Sequence, residues 1–471
     1  MLEHRDLADL AVDQARTKGA TYAEARIERH ATEFFLLKNG TLDALSVSED
    51  TGIGVRVLVN GTLGFATTNT LTKDDVRSTV DDAMRVAKGA RRKDPIVFAT
   101  EKAVRTEWGV SEKRKLADVE IEQKLEDVTG IEKELVASKI PLVARMFQAA
   151  TNRIDKYFVN SEGSQILSYS PRVRLFYFLT CMEGGDAEQT YRNYGWSGGW
   201  EALDEWDATE RILGEARSLQ KSLQEGKKSP EGKFDLVCGP QVSGIASHES
   251  CGHPTEADRI LGREASQAGK SFITADAIGQ KVGSPVVNVC DDPLIQNAIA
   301  YYEYDDEGVK ARRRYLYKEG KIHEFLQNRE TAAKMGTRSN AASRATTYSL
   351  EAIPRMANTF VEPKDHSFEE LLEGVKHGIY MKSFMEWNID DKRYNQKYVG
   401  REAYLIEDGE IGAPVRKVVL ELTTPAFWSA VDAVGNDLEF EAGFCGKSDP
   451  MQALDASLGG PHMRLRDLHL R

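Results

Sequence analysis

At 471 residues the chain is longer than one ordinary hydrophobic core supports, so two domains are expected. Its 41% hydrophobic and 29% charged residues are those of a globular protein in water, and no apolar run approaches the length of a membrane-spanning helix. The net charge of -12 speaks against a nucleic-acid partner, because the basic runs Arg91-Arg92-Lys93 and Arg312-Arg313-Arg314 have acidic neighbours and read as solvated faces.

From Leu2 to Lys18 the apolar residues fall at helical spacing and stop at Gly19. This opening lacks a positive region followed by an apolar core, so it reads as an amphipathic helix, and a cytoplasmic protein is expected. Alternating stretches follow up to Thr68, with Asn39-Gly40 and Asn60-Gly61 where hairpin turns belong. The run "KDDVRSTVDDAMRVAKGA" is a second amphipathic helix, with acids in its first turn and lysine before glycine at its end. Residues 111–138 read as helix. Further strands lead to the helix "DATERILGEARSLQKSLQEG".

The charged segment from Glu225 to Asp235 carries Gly and Pro and is the expected linker. It divides the chain into an N-terminal α+β domain (1–225), a linker (226–234) and a C-terminal β-rich domain (235–471). Beyond it a helix is expected over Thr255 to Ala268 and another over Phe368 to Gly378. The rest is strand pattern with turns at Glu319-Gly320, Asp408-Gly409 and Gly435-Asn436. The fold class is therefore α+β, with the β-rich domain carrying the helix that holds the motif below.

That motif is His248-Glu249-Ser250-Cys251-Gly252-His253. Zinc peptidases of the H-E-x-x-H type space their histidines four apart, on one face of a regular helix. Here the spacing is five, which on a regular helix turns the second imidazole away from the first. Gly252 and Pro254 make a regular continuation improbable, and a π-type widening of the last turn absorbs one residue and brings the rings together. Two imidazoles suit Zn²⁺, and Glu249, beside a ligand in sequence, is placed to act as a general base. Cys251, Glu256 and the distant Cys445 in "GFCGKSD" are all candidates for a third ligand, and spacing does not choose among them. The five cysteines, odd in number and without C-x-x-C spacing, read as thiols rather than a disulfide framework. Asp305, Asp306 and Glu307 before Gly308 read as a turn rather than a cation site.

The motif does not stand alone. "GIGVRVLVNGTLGFATTN" from Gly52, "FVNSEGS" from Phe158, "YDDEGV" from Tyr304, "IPRMANTF" from Ile353, "VGREAYLIEDGEI" from Val399 and "GNDLEFEAGFCGKS" from Gly435 occur in order along most of the chain. In these segments the sequence resembles the TldD/PmbA family of metalloproteases, also called modulators of DNA gyrase, and it has the motif of the TldD-like catalytic subunits. The resemblance implies a zinc held by His248, His253 and Cys445, with Glu249 as general base. It also implies a dimer that encloses the active sites, formed with a second copy or a motif-less TldE/PmbA-like paralogue. Peptides or unfolded protein segments are the implied substrate. Within "IPRMANTF", Arg355 and Asn358 are candidate donors to a substrate backbone. The alternative is a peptide-binding maturation module with a structural zinc, which four protein ligands would betray. The tail from Ser448 departs from the family's glycine- and valine-rich ending.

Overall fold

The computed structural model describes residues 4–90, 92–264 and 269–470. Alternation of apolar and polar residues builds one long sheet in the N-terminal half. Its strands are β1 (Tyr22–Lys38), β2 (Thr41–Val59), β3 (Thr62–Thr68), β4 (Arg105–Gly109), β5 (Leu142–Asn160), β6 (Gln165–Glu183) and β7 (Asp186–Ser197). They lie in the order β3-β2-β1-β5-β6-β4, with β7 also on β6, and are antiparallel except where β4 runs parallel to β6. Asn39 and Gly40 take φ of 48° and 78°, the paired left-handed conformation that a two-residue hairpin needs.

One face of β1 presents Ala23, Ala25, Ile27, Phe35 and Leu37 to the helices, and these five are buried, while Arg29, Ala31 and Glu33 between them are partly exposed. The helices α1 (Arg5–Thr17) and α2 (Lys73–Gly89) cover its first half, and α3 (Ile121–Ala137) and the helix Ala208–Glu225 cover its second. The opposite face of β1 begins with Glu24, Arg26 and Glu28, and these charges meet the C-terminal half. Arg26 donates to the Thr347 and Leu350 carbonyls, and Arg56, paired with Glu24, reaches Glu307 at 2.7 Å.

The C-terminal half holds a six-stranded sheet, a ten-stranded sheet and one large apolar core. Two long segments, 261–288 and 292–313, lack regular strand or helix among the described residues. Several expected helices are shorter than the pattern suggested. The one expected over 111–138 begins at Ile121, and that over Phe368–Gly378 ends at Glu373, where Gly374 caps it and the strand His377–Met381 follows. The segment expected helical from Thr255 has only Ala257–Ile260, while Ala265–Ala268 lie outside the described residues, as do Leu2 and Arg91. Lys227–Lys228, inside the expected linker, form a two-residue strand on Glu410–Arg416, and Gly232–Cys238 is a central strand of the large sheet.

Asp305, Asp306 and Glu307 make a turn, as the sequence indicated. Asp305 accepts from the Glu307 and Val309 amides at 3.0 and 2.9 Å, and Gly308 takes a φ of 74°. The two following acids bind the N-terminal half, Asp306 through Lys156 and Glu307 through Arg56.

Candidate metal centre

A short helix, Pro240–Ser247, starts with proline in its first turn, where a missing N–H costs nothing. It runs directly into a π-helical turn, His248–Gly252, whose widening is visible in one bond: the His253 N–H donates to the His248 carbonyl, five residues back. The two imidazoles consequently face each other edge to face, with ring centroids 4.9 Å apart. Gly252 packs directly against Met356: a Cβ on it would lie 1.9 Å from the sulfur, so that side chain would have to move to admit one. Ser250 fastens the turn from the other side, donating to the Ala246 carbonyl at 2.7 Å and accepting from the Trp428 indole at 3.1 Å.

Cys445 arrives on the strand Glu439–Lys447, which among the described residues is an edge strand paired with Gln452–Gly460. His248, His253 and Cys445 are all buried, and one ligand atom from each lies within 4.8 Å of the others. Cys445 Sγ is 3.4 Å from His253 Nε2. The other nitrogen of His253 is engaged by Glu256 at 3.0 Å, which leaves Nε2 for a metal. Burial pushes both histidines below their ordinary pKa, toward the neutral form that coordinates. Burial alone would raise the Cys445 thiol, but His253 and Arg355 bring it down to about 6. His248 Nδ1 is buried with no hydrogen-bond partner. Two neutral imidazoles, a thiolate-prone cysteine and an unpartnered ring nitrogen are a donor set that fits Zn²⁺.

The third-ligand candidates are thereby separated in space. Cys251 is packed in the C-terminal apolar core, where burial raises its thiol well above the ordinary value. Glu256 lies behind His253, sharing its carboxylate with Arg259 at 2.6 Å and Lys447 at 3.3 Å. Burial would raise the Glu256 carboxyl, but Lys447 and Arg259 hold it well below the carboxylate range.

Glu249 borders a cavity of about 160 Å³ together with His248 and Cys445, and Tyr191, Trp387 and Phe444 are among its other walls. Arg393 forms a buried ion pair with the Glu249 carboxylate. Sequence reading had no access to Arg393, which lies 144 residues from Glu249 in an unremarkable turn. The Glu256–Arg259 pair, by contrast, had a local signal in its i,i+3 spacing. Two other expected residues lie outside the cavity. Arg355 donates to the main-chain carbonyls of Gln452 (3.0 Å) and Cys445, and Asn358 donates to the Asp292 carbonyl at 2.8 Å. Both are buried and neither lines the cavity, and Arg355 holds the cysteine strand through the Cys445 carbonyl.

The domains of this chain are those of a class of metallopeptidases. Residues 23–87, 114–220 and 231–471 match in turn domain 1, the central domain and the C-terminal domain of the PmbA/TldA metallopeptidases. The chain belongs to this TldD/PmbA family. It is 33% identical to a metalloprotease of Methanothermobacter thermautotrophicus, covering 95% of this chain and 94% of the relative. It is 24% identical to a protein of Saccharolobus solfataricus named zinc metalloprotease TldD homolog, covering 97% and 98%. In fold it is similar to a Thermotoga maritima protein described as a modulator of DNA gyrase, with a TM-score of 0.80, 17% identity and 99% of each chain covered. TldE from Thermococcus kodakarensis gives a TM-score of 0.78 at 15% identity, covering 98% of this chain and 99% of TldE.

Proposed function

We propose that the chain is a zinc-dependent peptidase of the TldD kind, acting on peptides or unfolded protein segments. The observation that carries this reading is the buried His248–His253–Cys445 set beside a cavity that Glu249 also lines. Three protein ligands are the complement of a catalytic zinc, whereas a structural zinc takes four, and among the described residues the group counts three. When bound, zinc supplies Lewis acidity that polarises a carbonyl oxygen and makes water more acidic. Glu249 takes the proton of the attacking water and later delivers it to the leaving amine. Arg393 holds the Glu249 carboxylate in one orientation while this happens. Glu256 keeps the proton on His253 Nδ1, so that Nε2 presents its lone pair.

The free outer edge of the strand carrying Cys445 gives an extended chain a place to add as a further strand. Folded proteins are excluded if two subunits enclose the site, and the likeness to TldE supports a motif-less partner as one form of that dimer, a second copy being the other. Among the described residues no helix is long and apolar enough to cross a membrane, and all five cysteines are free, which suits a reducing cytoplasm. The test is Glu249→Gln in purified protein. Zinc stays at about one per chain while hydrolysis of an unstructured peptide falls about a hundredfold or more. Loss of zinc together with activity would make Glu249 a ligand and refute the assignment.

A further inference from the structure

The face of the N-terminal sheet that meets the C-terminal half changes character along its length. At its first end it carries the charged row Glu24, Arg26 and Glu28, which is buried. Further along, the same face of β1 carries Phe34, and the strand register places Ala150 and then Arg174 beside it. One row on, Gln148 stands beside Phe176, and Phe176 beside Asn193. Here the sheet is only half covered. An apolar groove of about 480 Å³ lies between this face and the strand Glu439–Lys447, with Phe34, Met146, Ala150 and Phe176 on one side and Ala442 and Phe444 on the other.

Two features connect this groove to the metal centre. Asn193, Ala442, Gly443 and Phe444 border both the groove and the cavity that holds His248, Glu249 and Cys445. The strand bordering the groove is also the strand that brings Cys445: Ala442 to Phe444 precede it by one to three residues, about 3–10 Å at strand rise. Small residues keep the space open. Gly195 on β7 sits so close to this strand that a Cβ on it would come within 2.5 Å of the Ala442 side chain, so the two halves touch there and diverge toward Ala150. At the rim Phe444 is 57% exposed, and the Arg174 guanidinium stacks on its ring at 4.3 Å. An aromatic held in water by a cation, at the join of two connected cavities, is placed to close over an incoming side chain.

We propose that this groove is a specificity subsite, taking a large apolar side chain of the peptide one to three residues from the scissile bond. The proposal rests on the peptidase reading. A peptide running along the open edge of the cysteine strand presents alternate side chains toward the N-terminal sheet, and the groove is where they arrive.

The test uses zinc-loaded full-length enzyme and unstructured peptides identical except for Gly, Ala, Leu or Phe at each position flanking the mapped cleavage site. At one of those positions Leu or Phe raises kcat/KM over Gly by roughly tenfold or more. Ala150→Trp, which fills the groove from a half-exposed strand position, abolishes that preference and leaves the Gly peptide's kcat/KM unchanged. Phe34→Ala, which enlarges the groove, moves the preference toward a Trp peptide. A wild-type enzyme indifferent to the series overturns the subsite while leaving the peptidase reading intact. Ala150→Trp slowing every peptide equally, or changing the molar mass in light scattering, overturns it too, the second result giving the groove to another subunit. A zinc-loaded wild type that cleaves none of the peptides, either alone or mixed with a motif-less TldE-like paralogue, overturns both readings.

Discussion

The replacement of Cys445 by alanine examines the most distant connection in the metal centre. The residue lies 192 positions from His253, yet its sulfur is 3.4 Å from the ring. Zinc bound by four protein ligands is worth about 10–16 kcal/mol, so one ligand contributes about 2.5–4 kcal/mol. Its loss lowers zinc affinity by about two to three orders of magnitude, at about 1.4 kcal/mol per factor of ten. The fold should survive, because Arg355 holds this strand through the Cys445 carbonyl, which alanine retains, and only one sulfur atom is removed. A stability cost of about 1 kcal/mol is expected. Cys251→Ala is the matched control: another buried thiol, on the motif turn itself, but packed in the apolar core. Competition with a chromophoric chelator reads zinc affinity, peptide hydrolysis reads activity, and a thermal melt of the metal-free protein reads the fold. Cys445→Ala should lose zinc and activity together with little change in the melt, while Cys251→Ala keeps most of both. Retention of zinc by Cys445→Ala, with loss in Cys251→Ala, would mean that the site is local to the motif and that the present assignment is wrong.

Glu256→Gln leaves the three ligands in place but loosens His253, so zinc affinity in the same chelator assay should fall about 10- to 100-fold; an unchanged affinity would show that Glu256 does not orient the ring. On the helix Ala208–Glu225, Glu215 ties Arg192 of β7 at 2.7 Å to Arg401 of the C-terminal half at 2.6 Å. Burial alone would raise its carboxyl, but Arg401 and Arg192 bring it down to about 2. A depressed carboxyl stabilises the folded state above its unfolded value and loses that contribution as pH falls, here between about pH 4.3 and 2. Glu215→Gln should therefore cost about 3 kcal/mol in denaturant melts at pH 7, with the difference from wild type shrinking below pH 4. In a brief tryptic digest the first internal cut should fall at the exposed Lys227 or Lys228, where we divide the two halves, and first cuts confined to other sites would refute that division.

Local rules made much of the molecule legible in its sequence. Alternation produced the strands up to Thr68, and the Asn39-Gly40 and Asn60-Gly61 pairs located their hairpins, because only a few residues accept two successive left-handed conformations. The widened turn at His248–Gly252 was also accessible, since five-residue spacing followed by Gly252 and Pro254 leaves a regular helix few ways to continue. Helix lengths in the C-terminal half were not accessible: Ala257–Ile260 is only four residues long in a segment with helical spacing, because packing and chain connections override propensity over such short distances.

The sequence by itself determined that two histidines and a carboxylate meet on one turn, because those contacts span at most five residues. Residues alone left Cys251, Glu256 and Cys445 open as the third ligand, with Cys445 slightly favoured, and resemblance to a family then singled it out. Tertiary structure placed its sulfur beside His253 by laying an edge strand against the motif helix, and it enclosed Cys251 in the core and set Lys447 against Glu256. It also decided the partners no spacing encodes: Arg393 on Glu249, and Arg355 turned away from the cavity to hold the strand that carries Cys445. Each of these joins residues about 90 or more positions apart, so its free energy depends on where a whole sheet packs, and no local pattern records that.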